Sequence, residues 1–199
     1  MITQLEILRS MFGAWRLLRL DAGGMQYFDR TPQGAIRSFF AAVIVLPFFL
    51  AFQIDVLGTL IQQQGFVPVF TVEALFYVIR WTTFPVIMIT LMSLFGVSER
   101  YVDFLVAYNW ANVIHVGFYL PAFLLQWFTP APEALIDAVM FAALAMALAY
   151  SWFVIKTATD LSGTVVVGLV VLDLVIAIMI AALSLDYLGG APAPPPAAA

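Results

Sequence analysis

The chain has 199 residues, of which 64% are hydrophobic and 10% charged, with a net charge of −4 and a mean hydropathy of +1.02. Soluble globular domains are about 45–50% apolar and about 25% charged, so this composition excludes an ordinary soluble domain and predicts a membrane protein. The absence of cysteine excludes disulfides and zinc–thiolate sites, and the single histidine excludes a multi-histidine metal site within one chain. We therefore expect no metal or other cofactor and, without a basic patch, no nucleic-acid partner.

The first 34 residues are predicted to form a cytoplasmic amphipathic helix and a linker. Apolar side chains recur there at helical spacing while the arginines lie largely on other faces. The apolar set is Leu5, Leu8, Phe12, Trp15 and Leu18. Such a helix can lie in the lipid headgroup plane, with Trp15 toward the acyl chains and Arg9, Arg16 and Arg19 toward anionic headgroups. It can also pack against the cytoplasmic end of its own bundle, and both arrangements can hold together.

Five membrane-spanning helices are predicted within residues 35–187, because each of five apolar stretches can cross a hydrocarbon core of about 30 Å at about 1.5 Å per residue. Their approximate bounds are residues 38–60, 71–95, 103–129, 137–155 and 161–185. A glutamine-rich loop is expected at residues 62–65. The fold class is therefore all-α: a polytopic integral membrane protein with five transmembrane helices plus an N-terminal amphipathic helix.

The tail, residues 188–199, consists mainly of alanine and proline. Such a low-complexity segment cannot bury a core, so it is predicted to be disordered.

The basic residues are distributed unevenly along the chain. Five arginines precede the first span, Arg100 falls between the second and third spans, and Lys156 falls between the fourth and fifth. The remaining one, Arg80, lies within the second span. The positive-inside rule then predicts a cytoplasmic N-terminus and, with five spans, an external C-terminus. We predict a multi-pass protein of a bacterial inner membrane.

The third span carries polar side chains near its middle. Tyr108, Asn112 and His115 fall at positions i, i+4 and i+7 and therefore share one helix face, and Asn109 lies beside them. Lipid offers such groups no hydrogen bonds, so this face is expected to contact other helices. The residues can form a polar pocket or a proton relay, or they can serve as interhelical hydrogen bonds, which is the interpretation that we favour.

Asp173 lies at the centre of the fifth span, with twelve uncharged residues on each side. An ionisable group at that depth is costly and suggests a functional site, here one for a proton or a cation. The structural alternative, which we favour, is a carboxyl group that pairs with Arg80, His115 or a tyrosine hydroxyl, or that is protonated and donates a hydrogen bond.

Arg80 falls in the first half of the second span, and Asp55 falls near the far end of the first. Glu73 precedes Arg80 by seven residues, so the two share a helix face. All three lie toward the outer half of the bilayer, and a structural ion pair of Arg80 with Asp55 or Glu73 is therefore predicted. Otherwise Arg80 extends its guanidinium outward to the interface.

No catalytic motif is present in the sequence. It contains no Ser/His/Asp arrangement, no His-Glu-x-x-His and no phosphate-binding loop, so an enzyme is not expected. The two halves show no inverted repeat, and an odd number of spans speaks against the common two-fold transporter folds.

Two stretches resemble the bacterial form of the Yip domain family. Residues 91–125 (LMSLFGVSERYVDFLVAYNWANVIHVGFYLPAFLL) are similar to the family's span, short turn and next span, with Tyr108, Ala111 and Pro121 in matching places. Residues 146–172 (MALAYSWFVIKTATDLSGTVVVGLVVL) are similar to the family's span, the turn that follows it and the last span. The resemblance covers about residues 35–187 and implies five spans with a cytoplasmic N-terminus. Eukaryotic members bind small GTPases, but their cytosolic Asp-Leu-Tyr-Gly-Pro-type motif is absent here, so that property and its residues do not carry over.

These observations favour a non-enzymatic scaffold or accessory role exercised through helix contacts and lipid. The first alternative is a small permease or ion-coupled transporter that uses Asp173, His115 and Asn112. The second is an accessory subunit of a larger membrane complex. The expected partners are the lipid bilayer and other membrane proteins or a second copy. A transporter requires a water-accessible cavity that reaches Asp173, whereas a scaffold requires none.

Overall fold

The computed structural model describes residues 2–190, apart from the side chain of Asp55. All regular structure in that part of the chain is helical, which confirms the predicted all-α class. The α-helices are α1 (Gln4–Leu18), α2 (Pro32–Ser38), α3 (Phe40–Val56), α4 (Gly58–Gln64), α5 (Phe66–Leu94), α6 (Tyr101–Phe128), α7 (Glu133–Thr159) and α8 (Gly163–Gly190). Two 3₁₀ helices, Ala22–Tyr27 and Ser98–Arg100, lie before α2 and before α6.

Five stretches within the described residues are long and apolar enough to cross a membrane, as predicted. They are Pro32–Ile54, Phe66–Leu94, Ser98–Phe128, Glu133–Thr159 and Gly163–Gly189. Helices that are apolar on all sides belong in a membrane or in the core of a large protein, and a chain of 199 residues has no such large core. The fold is that of a multi-pass membrane protein.

Helix α6 occupies the centre of the bundle. It packs against α7, α3, α2 and α1, while α8 packs against α5 and α7. Its first half, from Phe104 to Ala111, is buried on all sides, and Trp110 is only 2% exposed. Because other helices surround this half of α6, its polar side chains contact those helices rather than lipid.

Local signals in the sequence explain several helix ends. Thr31 accepts a hydrogen bond from the backbone N–H of Gly34 at 3.1 Å, and Pro32 is the first residue of α2, so both act as the sequence suggests for a helix start. Helix α7 ends at Thr159, and the residue that caps it, Asp160, adopts the left-handed conformation with φ of 59°. Aspartate tolerates that region better than most residues do.

The expected loop at residues 62–65 is helical for most of its length. Helix α4 runs to Gln64, and Gly65, with φ of 88°, provides the sharp turn into α5. Glutamine is a good helix former, and the Gln64 amide also donates to the Leu188 carbonyl at 2.5 Å, so tertiary contact holds the segment. Helix α5 consequently begins at Phe66, about five residues earlier than predicted.

The last helix also exceeds its predicted length. Helix α8 continues to Gly190, three residues into the segment for which disorder was predicted. Leu188 is buried against Leu57 and Val69, which explains why the helix extends that far. Residues 191–199, the remainder of the predicted disordered tail, lie outside the described residues.

Helix α1 packs on the bundle with three small residues and one leucine. Ser10, Gly13, Ala14 and Leu17 are buried, and α1 contacts α6, α7 and the first 3₁₀ helix. The Tyr150 hydroxyl donates to the Ala14 carbonyl at 2.9 Å. The large apolar side chains lie on the opposite side and are exposed. They are Leu5, Leu8, Phe12 and Trp15.

One close backbone approach depends on glycine. A Cβ atom on Gly13 would lie 2.9 Å from the carbonyl oxygen of Gly24 and 3.1 Å from the Cβ atom of Tyr27. Neither α1 nor the 3₁₀ helix has room for a side chain at that contact, so glycine fixes the distance between them.

Seven of the eight basic residues gather at the end of the bundle that carries α1. Among the described residues, four ion pairs there connect different segments: Arg37 with Glu6 (2.8 Å), Arg37 with Asp29, Arg30 with Asp103 (3.1 Å) and Arg100 with Asp160 (3.8 Å). Solvent-exposed surface pairs, such as that of Arg100, contribute only about 0–1 kcal/mol each. The two pairs of Arg37 are partly buried.

Within α1 and its following turn, Arg16 also pairs with Asp21. Two hydrogen bonds hold the pKa of Asp21 below its usual range. The one from Arg16 has the larger effect, and the one from the backbone N–H of Gly23 has the smaller effect. The pair therefore contributes fully above about pH 4, the ordinary pKa of aspartate, and its contribution is lost as the pH falls through the lowered value.

Candidate functional site: a polar cavity within the helix bundle

Two adjoining cavities lie on either side of the inner face of α6. The first, of about 220 Å³, is lined by residues of α3, α5 and α6, and the second, of about 290 Å³, by residues of α5, α6, α7 and α8. Five side chains line both cavities. They are Arg80, Tyr108, Asn112, His115 and Tyr119. The predicted set Tyr108, Asn112 and His115 thus lies together along one continuous polar wall.

Asp173 lines the larger cavity. It is half-buried, and its Oδ1 accepts a hydrogen bond from the Tyr108 hydroxyl at 3.0 Å. Of the partners predicted for Asp173, which were Arg80, His115 and a tyrosine hydroxyl, the tyrosine hydroxyl is the one that forms a hydrogen bond with it. No ion pair joins Asp173 to Arg80, although both side chains line this cavity and are described in the structure.

His115 connects α6 to α7. Its Nδ1 lies 3.1 Å from Oδ1 of Asn112, and its Nε2 lies 3.2 Å from Oγ of Ser151. An amide oxygen only accepts, so with the amide oriented in this way Nδ1 carries the proton and Nε2 accepts from the serine hydroxyl. A neutral imidazole can therefore make both hydrogen bonds. Together, Asn112, His115 and Ser151 form a hydrogen-bonded series that joins α6 to α7 beside the cavity.

Arg80 lies at the middle of α5, with fourteen residues on each side, since the helix begins at Phe66. Its guanidinium is 5.7 Å from the ring centroid of Phe49, and its buried Nε has no hydrogen-bond partner among the described residues. At about 1.5 Å per residue, its Cα atom has about 20 Å of helix on either side. The position of Arg80 in the outer half of the bilayer stays a prediction.

Of the two predicted partners of Arg80, Glu73 is wrong, because no ion pair joins their described side chains. The Glu73 carboxylate instead accepts hydrogen bonds from Gln53 (2.6 Å) and from Ser184, and it is buried. Glu73 and Arg80 share a face but are seven residues apart, which places them about 10 Å apart along the helix. The side chain of Asp55, the other predicted partner, lies outside the described part.

Asn109 does not line either cavity. It is completely buried and points toward α2, where its Nδ2 donates to Oγ of Ser38 at 2.8 Å. Ser38 in turn donates to the Ala35 carbonyl at 2.7 Å. Asn109 follows Tyr108 by one residue, a rotation of about 100° around the helix, and this rotation turns it from the cavity toward α2.

The residues predicted to face lipid at the N-terminus occupy two different environments. Arg9 and Arg19 are exposed, and Trp15 is 50% exposed beside the other large apolar side chains of α1. Arg16 is tied to Asp21 and lies 3.2 Å from the Tyr27 hydroxyl, so it serves the fold of the segment.

Tyr119, which lines both cavities, was not singled out from the sequence. The sequence reasoning also missed Ser151. It lies in the alanine-rich α7, and a single serine there is indistinguishable from the many serines that bond only to their own helix backbone. Only its distance to His115 reveals its role.

Comparison with protein-family models, with curated proteins and with solved structures finds no match to the chain. The resemblance to the Yip domain family therefore stays a prediction.

Proposed function

We propose that the protein is a small, non-enzymatic permease of the bacterial inner membrane that binds a polar solute beside Asp173. One observation carries this proposal, namely the cavity of about 290 Å³ that reaches Asp173 within the bundle. Small-molecule sites occupy about 300–1,000 Å³ and combine apolar walls with a few placed polar groups. The cavity is just below the lower limit of that range, and its polar groups come from four different helices.

The groups around the cavity suit solute binding and proton exchange. Asp173 has one hydrogen-bond donor, Tyr108, whereas an ionised carboxylate can accept about four. His115, held between Asn112 and Ser151, is the one imidazole of the chain and can exchange a proton with a bound solute. Ion-coupled transport uses groups of this kind at membrane depth.

The proposed orientation is a cytoplasmic N-terminus and an external C-terminus. Seven of the eight lysines and arginines lie at the end with α1, and the eighth, Arg80, lies at the middle of α5. The positive-inside rule then assigns this end to the cytoplasm. We also propose that α1 lies on lipid, because its exposed apolar side chains continue the outer surface of the bundle.

The orientation is testable with single cysteines in a chain that has none. We expect Glu99→Cys, in the turn before α6, to react with a membrane-impermeant thiol reagent only in inside-out vesicles. Glu133→Cys, at the start of α7, should react only in intact spheroplasts, because the two positions lie at opposite ends of the bundle. Labelling of both from the same side would contradict the five-span topology, and the reverse pattern would invert the orientation.

A second candidate is the scaffold or accessory role, alone, as a dimer or with other membrane proteins. The hydrogen bond from Tyr108 favours it, because a carboxyl group that is already partnered can be purely structural. The two candidates differ in whether water and solutes reach Asp173.

The permease and the scaffold are distinguished by whether a water-soluble reagent reaches residue 173. We expect Asp173→Cys to react with a small, charged, impermeant thiol reagent in sealed vesicles, because the cavity reaches that position. Val175→Cys is the matched control, since it lies on the same helix but its side chain is 44% exposed on the outer surface, where lipid excludes the reagent. If neither cysteine reacts from either side in a correctly folded protein, the permease proposal fails and the scaffold remains.

A further inference from the structure

Two side chains of opposite charge line the same intramembrane cavity without forming an ion pair. Arg80 comes from α5 and Asp173 from α8, and both line the cavity of about 290 Å³. Among the described residues neither makes an ion pair with any group. Arg80 has the face of Phe49 beside it, and Asp173 has the Tyr108 hydroxyl.

This arrangement is costly unless a further group compensates the two charges. Charges removed from bulk water require compensation by an opposite charge or by several hydrogen bonds. A solute with a single charge compensates one of the two residues and leaves the other as before. A solute with a negative and a positive group compensates both, because a guanidinium is suited to a carboxylate and a carboxylate to an ammonium group.

The remaining wall of the cavity is aliphatic. It includes Leu148 of α7 together with Ile176 and Ile180 of α8. An apolar substituent on the solute would lie against these side chains, and the volume limits the solute to a small molecule.

We propose that the cavity binds a zwitterion of amino-acid size with an apolar side chain. Its carboxylate contacts Arg80, its ammonium group contacts Asp173, and its side chain contacts the aliphatic wall. This inference rests on the proposed permease function and assigns its substrate class.

Asp55 is the acidic residue of α3 that bears on this assignment. Its backbone lies six residues beyond Phe49, the residue of α3 that contacts Arg80, which corresponds to about 9 Å of helix. The proposal therefore assigns Arg80 to the solute rather than to Asp55, and an Asp55→Asn variant is expected to retain the selectivity of the native protein.

The test uses the purified full-length chain in mild detergent and three probes of matched shape. Leucine carries both charges, 4-methylpentanoate only the negative one and 3-methylbutylamine only the positive one. We expect leucine to bind, by titration calorimetry, about tenfold or more tightly than either analogue, because each analogue lacks one charged contact.

Variants at the two charged residues then change the preference in opposite directions. Arg80→Gln is expected to abolish the advantage of leucine over 3-methylbutylamine, and Asp173→Asn its advantage over 4-methylpentanoate. Asp186→Asn is the matched control, since Asp186 is an exposed residue of the same helix, and it should leave all three affinities unchanged.

The inference is overturned if leucine fails to bind, if it binds no better than its analogues, or if the two charge variants leave the order of affinities intact. A loss of selectivity in Asp55→Asn would also overturn it, since Arg80 would then depend on that carboxylate. Labelling of Asp173→Cys without leucine binding would leave the permease proposal standing and remove only the substrate class. Absence of labelling would remove the permease proposal itself.

Discussion

Replacing Trp110 with alanine is expected to destabilise the folded protein by about 3 kcal/mol or more. The indole is 2% exposed at the centre of the bundle, and truncation of a buried aromatic residue costs about 3–5 kcal/mol. Lipid accommodates apolar side chains as well as the protein interior does, so the loss here comes from packing contacts and from the cavity that is left.

The loss is measured by heating the protein in mild detergent and recording the monodisperse peak that remains in size-exclusion chromatography. We expect the temperature at which half of this peak is lost to be lower for the variant. Trp127→Ala is the control, because that indole is 44% exposed and its removal leaves no enclosed void. We expect the control to lie close to the native protein. Equal midpoints for both variants would contradict the central position of α6.

Glu73→Ala is expected to produce the second large loss, about 2–4 kcal/mol. The carboxylate accepts from Gln53 of α3 and Ser184 of α8, so its removal leaves two donors without a partner in a membrane-embedded contact and opens a void between three helices. Glutamate at this position therefore stabilises the bundle, independently of the cavity around Asp173.

The same heating assay checks this expectation. Glu133→Ala changes the same residue type at an exposed position in the first turn of α7, where loss of an acid costs at most about 1 kcal/mol. A Glu73 variant as stable as that control would show that the three-helix contact contributes little. Glu73→Gln, which keeps a hydrogen-bonding side chain, should recover part of the loss.

The sequence was sufficient for the all-α class and for the five membrane-spanning segments. Both depend on the number of consecutive apolar residues in each stretch, which is a local property of the sequence. The shared face of Tyr108, Asn112 and His115 also follows from helical spacing, which fixes the direction of a side chain relative to its own helix.

The partners across helices were not predictable in the same way. Spacing places Glu73 and Arg80 on one face, but the groups opposite them depend on how α3 and α8 are rotated and shifted against α5. Because α5 starts about five residues earlier than predicted, Arg80 lies at the middle of that helix. Ser151 was missed for the same reason, because its importance depends on α7 facing His115.

The hydrogen bond between Tyr150 and the Ala14 carbonyl bears on the biogenesis of the protein. Its two residues are 136 positions apart in the chain. At about 5–20 residues per second, the ribosome takes roughly 7–27 s to supply the second partner after the first. During this interval α1 has neither α6 nor α7 to cover its small-residue face, whereas its large apolar side chains can already lie on the membrane surface. Helix α1 can therefore lie on the membrane surface until the fourth span, α7, is inserted. Packing of α1 against the bundle is then a late step of assembly.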